Sequence, residues 1–325
     1  MNPAERMPPD GRIRAIVEGV APVVDGGRFA VKRVIGDELV VEADCFTDGH
    51  DQLVCILQYR FDDDAGWNDS RMRPLGNDRW RAGFPCGRLG TWHYRVSARV
   101  DPFLSWRAEF ARRIEGEDMR IAARIGADLI GAAAQRASGE HGVQLGEWVI
   151  RLLGAGDLES LRREGIDENL AALVLLYPDP DLGPAISPEY RVTVERERAR
   201  YSAWYELFPR SAGRPGEHGS FDDVMRLLPE IAGMGFDVLY LPPIHPIGRE
   251  QRKGMNNSLT ARPGDVGSPW AIGASEGGHK DVHPQLGGAA DFRRLVQAAR
   301  DQGMEVALDI AYQCAPDHPY VRDYP

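Results

Sequence analysis

Val238-Leu239-Tyr240-Leu241 and Val306-Ala307-Leu308-Asp309-Ile310 are apolar on both faces instead of alternating, the pattern of strands covered by helices on either side of a parallel sheet. Working outward from them, the order beyond Arg200 reads strand, helix, strand, long loop, helix, strand, at residues 203–208, 221–234, 237–241, a Pro- and Gly-rich stretch, 291–302 and 305–311. Alternation of this kind predicts parallel β/α units. Periodicity leaves a doubly wound sheet and a barrel both open.

Upstream, residues 12–102 carry short β-rich runs at 13–17, 39–45, 53–60 and 91–100, punctuated by Gly26-Gly27, Asp48-Gly49 and Leu75-Gly76-Asn77-Asp78. Turn signals at this spacing predict an antiparallel β-sandwich. Trp80-Arg81-Ala82-Gly83-Phe84 and Gly90-Thr91-Trp92-His93-Tyr94-Arg95-Val96 alternate large apolar with polar side chains, as half-buried strands do. Their aromatic rings are of the kind that stacks on sugars, but core packing is the simpler reading.

From Pro102 the period changes. Phe103, Trp106, Phe110, Ile114, Met119, Ile121, Ile125, Leu129 and Ile130 recur three or four apart, a helical stripe. Further helical segments at 146–153 and 157–177 make residues 103–180 a small α-helical bundle with a charged outer face. Pro178-Asp179-Pro180 and Gly183-Pro184 break it, and within 181–199 the run Tyr190-Arg191-Val192-Thr193-Val194 returns to the strand pattern. If that strand rejoins the first sheet, the bundle is an insertion in the β-domain; as a linker strand it leaves the bundle in series. Residues 200–325 then hold the β/α units.

The 325 residues, 43% hydrophobic and 27% charged, suffice for two or three packed cores and exclude a disordered tail, a collagen-like repeat and a coiled coil. Thirty-nine Lys and Arg against 49 Asp and Glu give −10, which argues against nucleic acid as partner yet allows a small anionic substrate. Cys45, Cys55, Cys86 and Cys314 show no CxxC spacing, so neither a zinc site nor a disulfide framework is expected, and reduced thiols in a cytoplasm fit. Residues 1–12 lack the apolar core of a secretory signal, and no run near 18 apolar residues occurs, so no membrane association is expected.

If the β/α units belong to a barrel, the informative residues follow each strand. Residues 209–219 offer Arg210 and Arg214, read as solvated loop charges. Residues 242–288 form a connection far longer than usual, which marks it as functional or disordered. Lys253-Gly254-Met255-Asn256-Asn257-Ser258 and Asp265-Val266-Gly267-Ser268-Pro269-Trp270-Ala271-Ile272-Gly273 argue for order, mixing turn formers with a Trp and amides suited to a sugar. Lys253 is a candidate phosphate ligand or simply solvated. Glu276, His279 and His283 share the loop, but Gly277, Gly278 and Pro284 argue against the helix that would aim both imidazoles at one metal. Asp309 at its strand end needs a cation or hydrogen bonds, and Gln313, Cys314, Asp317 and His318 follow it. Cys314 with His318 four residues on resembles a nucleophile and base, without an orienting third group.

Four blocks are more specific than any of these alone. Ser202 to Ser211, Leu239 to Gly248, Gly267 to Gly273 and Ala307 to Pro319 together resemble the bacterial maltosyltransferases of the α-amylase superfamily, which move maltose from maltose 1-phosphate onto α-1,4-glucans. The resemblance covers essentially the whole chain. It implies a multidomain fold: a β-sandwich, a helical insertion used in a homodimer contact, and the first three β/α units of a TIM (β/α)8 barrel. It implies a retaining double displacement by paired carboxylates, with no cofactor and no metal. Asp309 then supports the site structurally, Lys253 and Gln313 contact the donor's phosphate and hydroxyls, and Ser268 and Trp270 line the donor pocket. Gln313-Cys314 stands where amylases carry Asn and His, a departure shared with the maltosyltransferases. The nucleophilic Asp and acid/base Glu are expected beyond the third strand. These residues are therefore expected to be the amino-terminal part of a longer protein and inactive alone. The alternative is a non-catalytic carbohydrate-binding or dimerisation module.

Overall fold

Leu39, Val41, Ala43 and Cys45 are buried while their neighbours face outward, and this period of two builds the first half of the molecule. The computed structural model describes residues 11–324; most of the amino-terminal stretch read for a leader, and Pro325, lie outside the described residues. The chain divides into two units after Arg200.

In the first unit the strands are β1 (Ile16–Ala21), β2 (Val31–Val34), β3 (Glu38–Phe46), β4 (Leu53–Phe61), β5 (Asn68–Arg71), β6 (Arg73–Gly76), β7 (Arg79–Pro85) and β8 (Gly90–Val100). Helices α1 (Pro102–Phe110), α2 (Gly116–Arg136), α3 (Glu140–Gly154), α4 (Leu158–Gly165) and α5 (Glu168–Leu175) follow, then β9 (Ala185–Ile186) and β10 (Tyr190–Glu195). One sheet runs β1-β3-β7-β6; the other runs β2-β10-β8-β4-β5, with β9 on β8. β10 lies antiparallel to β8, Val192 opposite Trp92, and parallel to β2. The chain thus leaves this sheet at Val100 and re-enters it at Ala185, with the five helices in between. Both sheets feed one apolar core, where Tyr59 stacks on Phe84 at 4.4 Å. Asn77 and Asp78, both at positive φ, turn the β6–β7 hairpin in the two-residue form that matches strand twist.

The helices have a core of their own, including Phe103, Trp106, Phe110, Met119, Ile130, Leu145 and Leu170. Asp101 accepts from Leu104 N and caps α1. The continuous stripe expected over 103–130 is corrected. The helix stops at Phe110 and restarts at Gly116, and Ile114, Ile121 and Ile125 are 82%, 55% and 53% exposed. The buried face of α2 is instead Met119, Ala122, Ala123, Gly126, Ala127 and Ile130. Small residues let this helix approach Trp106, whose indole donates to Ala122 O and fills the space a Cβ on Gly126 would need. The expected helix at 157–177 likewise divides into α4 and α5, because Asp167 caps a new start.

The second unit has β11 (Trp204–Glu206), α6 (Phe221–Gly233), β12 (Val238–Leu241), α7 (Ala289–Asp301), β13 (Glu305–Leu308) and the short α8 (Pro319–Asp323). The three strands are parallel, ordered β11-β12-β13, with Leu239 opposite Tyr205 and Val306. Leu239 and Leu241 pack with Phe221, Leu228, Ile231 and Leu295 from the two long helices. A reciprocal Ser220–Asp223 capping box starts α6. The strand expected to reach residue 311 ends at Leu308. Leu308 is 37% and Ile310 68% exposed, so this strand is not covered on both faces among the described residues. None of the described helices is long and apolar enough to cross a membrane.

Candidate functional site

Parallel pairing brings the ends of β12 and β13 side by side, and Asp309 N donates to Leu241 O at 2.9 Å, so the Asp309 side chain starts from a fixed backbone. Trp270, from the 242–288 loop, donates its indole Nε1–H to Asp309 Oδ2 at 2.6 Å. Burial first, then the neighbouring Asp309, raises the pKa of Tyr240 on β12. The carboxylate is therefore held by a neutral donor, the Trp270 indole, and pairs with no cation among the described residues, the second of the two arrangements that a strand-end Asp permits. The Trp270 ring meets Phe208 edge-on at 5.8 Å. Gln313 donates its amide to Trp270 O at 3.1 Å.

Three of the five expected site residues, Trp270, Asp309 and Gln313, are thus joined by hydrogen bonds. Ser268 opens the turn that presents Trp270, its carbonyl accepting from Ala271 N. Lys253 is half-buried, and among the described residues no hydrogen bond or ring contact joins it to that group.

Order in the long loop comes chiefly from two arginines. Arg252 donates to Gly248 O, Ile247 O and Asp265 O, folding the loop around one guanidinium. Arg210 donates to Gly267 O at 2.7 Å, which corrects its reading as a solvated charge: it ties the first loop to the turn before Ser268, and burial lowers its pKa. Arg214 is exposed, as read from the sequence. Glu276 pairs with Arg249.

His279 and His283 part company. His283 stacks on His218, with ring centroids 5.4 Å apart, and its pKa is lowered by burial and then by His218. His279 faces the other way, where its Nδ1 lies 3.0 Å from His318 Nε2 and its Nε2 2.7 Å from Ala311 O. Together with Cys314, His279 and His318 place one donor atom each within 4.8 Å of one another, so a metal deserves a test. The hydrogen bonds do not fit one. His318 Nδ1 accepts from Tyr320 N at 2.9 Å, which puts the proton of the neutral ring on Nε2, the atom a metal would need. The same assignment removes the base from the Cys314 nucleophile reading: His318 Nε2–H is donated to His279, and His279 Nε2–H to Ala311 O. No basic nitrogen is left for the exposed thiol.

Sequence reasoning missed Tyr240 and the His279–His318 pair. The one aromatic, polar-tipped residue in an aliphatic strand was a signal for Tyr240. For the histidines the signal is weaker: Gly273 and Gly278 are both sites where a Cβ would fall within 2.5 Å of the His318 ring.

Residues 13–196 match the family model described as alpha-1,4-glucan:maltose-1-phosphate maltosyltransferase, domain N/S. A protein of that name from Chlorobaculum tepidum is 46% identical over 320 residues, 98% of this chain and 48% of its own length. One from Myxococcus xanthus is 47% identical over 319 residues, 95% of this chain and 48% of its own. This chain spans about half the length of these curated relatives. A solved α-amylase from Lactobacillus plantarum is 34% identical over 38% of this chain and 26% of its own, with a TM-score of 0.30.

Proposed function

The chain belongs to the alpha-1,4-glucan:maltose-1-phosphate maltosyltransferase family, and on that premise we propose that it forms part of an enzyme transferring maltosyl units from maltose 1-phosphate to the non-reducing ends of α-1,4-glucans. The observation that carries this reading beyond membership is the Trp270–Asp309–Gln313 group beside the carboxyl ends of parallel strands, where α/β enzymes bind substrates.

The reaction is a retaining double displacement. A carboxylate attacks the anomeric carbon as the bond to phosphate oxygen breaks and phosphate leaves with the electron pair. A glucan 4-hydroxyl then attacks the glycosyl ester while a second carboxylate takes its proton. In this reading Asp309, held by Trp270, supports the sugar site. Gln313 and Lys253 contact the donor's hydroxyls and phosphate, an ammonium and an amide suiting a dianion. Ser268 and Trp270 line the pocket. The attacking and protonating carboxylates are assigned to none of the described residues, so the 325 residues alone are proposed not to transfer.

The same reading makes the two-sheet unit a β-sandwich with the helical bundle inserted, and β11 to β13 the opening strands of an amylase-type barrel. Helices α2 and α3 carry exposed Ile121, Ile125, Val143, Ile150 and Leu153, which supports a homodimer through the insertion; the enzyme is placed in the cytoplasm.

Phosphate release from maltose 1-phosphate, with glycogen as acceptor, tests the function. The product of the complete reading frame releases phosphate and lengthens the glucan, and these 325 residues do neither. Glucan hydrolysis that ignores maltose 1-phosphate would overturn the reading.

A further inference from the structure

We infer that His279 is a positioning residue: through a one-directional chain of hydrogen bonds with His318 it clips the 242–288 loop to the segment after β13 and so holds Gln313 in place. The inference rests on the reading of Gln313 as a donor contact.

The chain's polarity is fixed by its ends. Tyr320 N–H donates to His318 Nδ1 at 2.9 Å, so His318 carries its proton on Nε2 and donates to His279 Nδ1 at 3.0 Å. His279 then carries its own proton on Nε2 and donates to Ala311 O at 2.7 Å. Ala311 lies between Asp309 and Gln313, and two residues after Ala311 the Gln313 amide returns to the long loop at Trp270 O. Ile272 bridges both Ile247 and Cys314 in the same place. His279 thus supplies from one side the bond that fixes the middle of the segment whose end carries the donor contact.

Both imidazoles are neutral in this arrangement, and protonating either breaks it. A proton on His279 Nδ1 faces His318 Nε2–H, and one on His318 Nδ1 faces Tyr320 N–H. The groups around them are His245 and Asp281 from the long loop, and Cys314, Asp317 and Tyr320 from the segment after β13. Burial, then His279, lowers the His318 pKa, against the opposing pull of Asp281 and Asp317. Asp281 accepts from Gly278 N and one oxygen of Asp317 from Arg249 N, while Asp317 Oδ1 has no hydrogen-bond partner among the described residues. The glycines at 273 and 278 leave the His318 ring the room it fills.

Hydrogen exchange of the Asp309 and Ala315 amides, which donate to Leu241 O and Ile272 O on either side of the clip, with imidazole tautomers read by long-range 1H–15N spectra in the 325-residue chain, tests this. Wild type should show His279 protonated on Nε2 and His318 on Nε2. Exchange of these two amides, corrected for intrinsic rate, should rise about tenfold as pH falls below the ordinary imidazole range, while α6 stays protected. His279→Leu should show the fast exchange at every pH. His279→Gln, which offers one acceptor and one donor, should restore slow exchange at neutral pH. The opposite tautomer on His279, or exchange in His279→Gln as fast at neutral pH as in His279→Leu, overturns the inference. In the complete enzyme His279→Leu should raise KM for maltose 1-phosphate more than it lowers kcat, and should add nothing once Gln313→Ala is present; additive effects overturn the route through Gln313. Absence of any phosphate release by the wild-type enzyme would sink the donor reading alone, leaving the clip to be decided by exchange and tautomers.

Discussion

Trp270→Phe removes the indole N–H from the site together with part of the fused ring, a packing loss that a double-mutant cycle separates from the hydrogen bond. The phenyl ring retains an aromatic face for Phe208, while the indole N–H that meets Asp309 Oδ2 at 2.6 Å is lost. A hydrogen bond to a charged group contributes roughly 1.5–3 kcal/mol. Asp309 is only half-buried, so solvent reduces the expected loss to about 1–2 kcal/mol. The pairwise share is isolated by a cycle with Asp309→Ala, in which each single variant removes the bond and the double variant removes both partners. Urea denaturation followed by near-UV circular dichroism is the assay, with the second unit's transition fitted separately because two units need not unfold together. The bond predicts a coupling of about 1–2 kcal/mol, well above the ~0.3–0.5 kcal/mol scatter of independent sites. Additivity within that scatter would refute the reasoning, since Trp270 would then be packing beside the carboxylate and not holding it.

Gly273→Ala should destabilise the second unit by about 2–4 kcal/mol, because φ is +107° and the new Cβ would fall 2.1 Å from the His318 ring; an unchanged thermal midpoint contradicts this. Ser220→Ala should cost about 1 kcal/mol by deleting the Ser side of the α6 capping box, read as a lower urea midpoint. His283 and His318 both have folded pKa values below the ordinary 6.5, so the unfolded chain binds more protons just below that pH. Stability is full above about 6.5 and falls as pH drops through the window toward the folded values, so urea midpoints at pH 7.5 and 5.5 should differ in that order, and equal midpoints would count against both buried imidazoles.

What was legible in the sequence follows from how far apart the interacting residues lie. Alternation over 39–45 reports a strand because neighbours along the chain share one face, and the structure places Leu39, Val41, Ala43 and Cys45 in the core. Asp309 could be located as a strand-end carboxylate for the same local reason. The α2 face was misread because the reading followed bulk. Ile121 and Ile125 stand out in sequence but point to solvent, while Ala122, Ala123 and Gly126 form the seam against Trp106. Close approach selects small side chains, which a search for large apolar residues passes over.

The histidines show the limit from the other side. Four residues separate His279 from His283 and 39 separate it from His318, yet the distant partner is the real one. A loop with two glycines and a proline near its histidines has no periodic face, so spacing carries no information there about direction. Direction comes instead from which backbone groups need partners. Tyr320 N at the start of α8 needs an acceptor, and His318 Nδ1 supplies it; Ala311 O needs a donor, and His279 Nε2–H supplies it. Once those two demands are met, each ring has a single nitrogen left, one a donor and one an acceptor, and they match only in the order observed. The pairing is therefore a consequence of backbone satisfaction on both loops at once, which becomes visible only when both are folded.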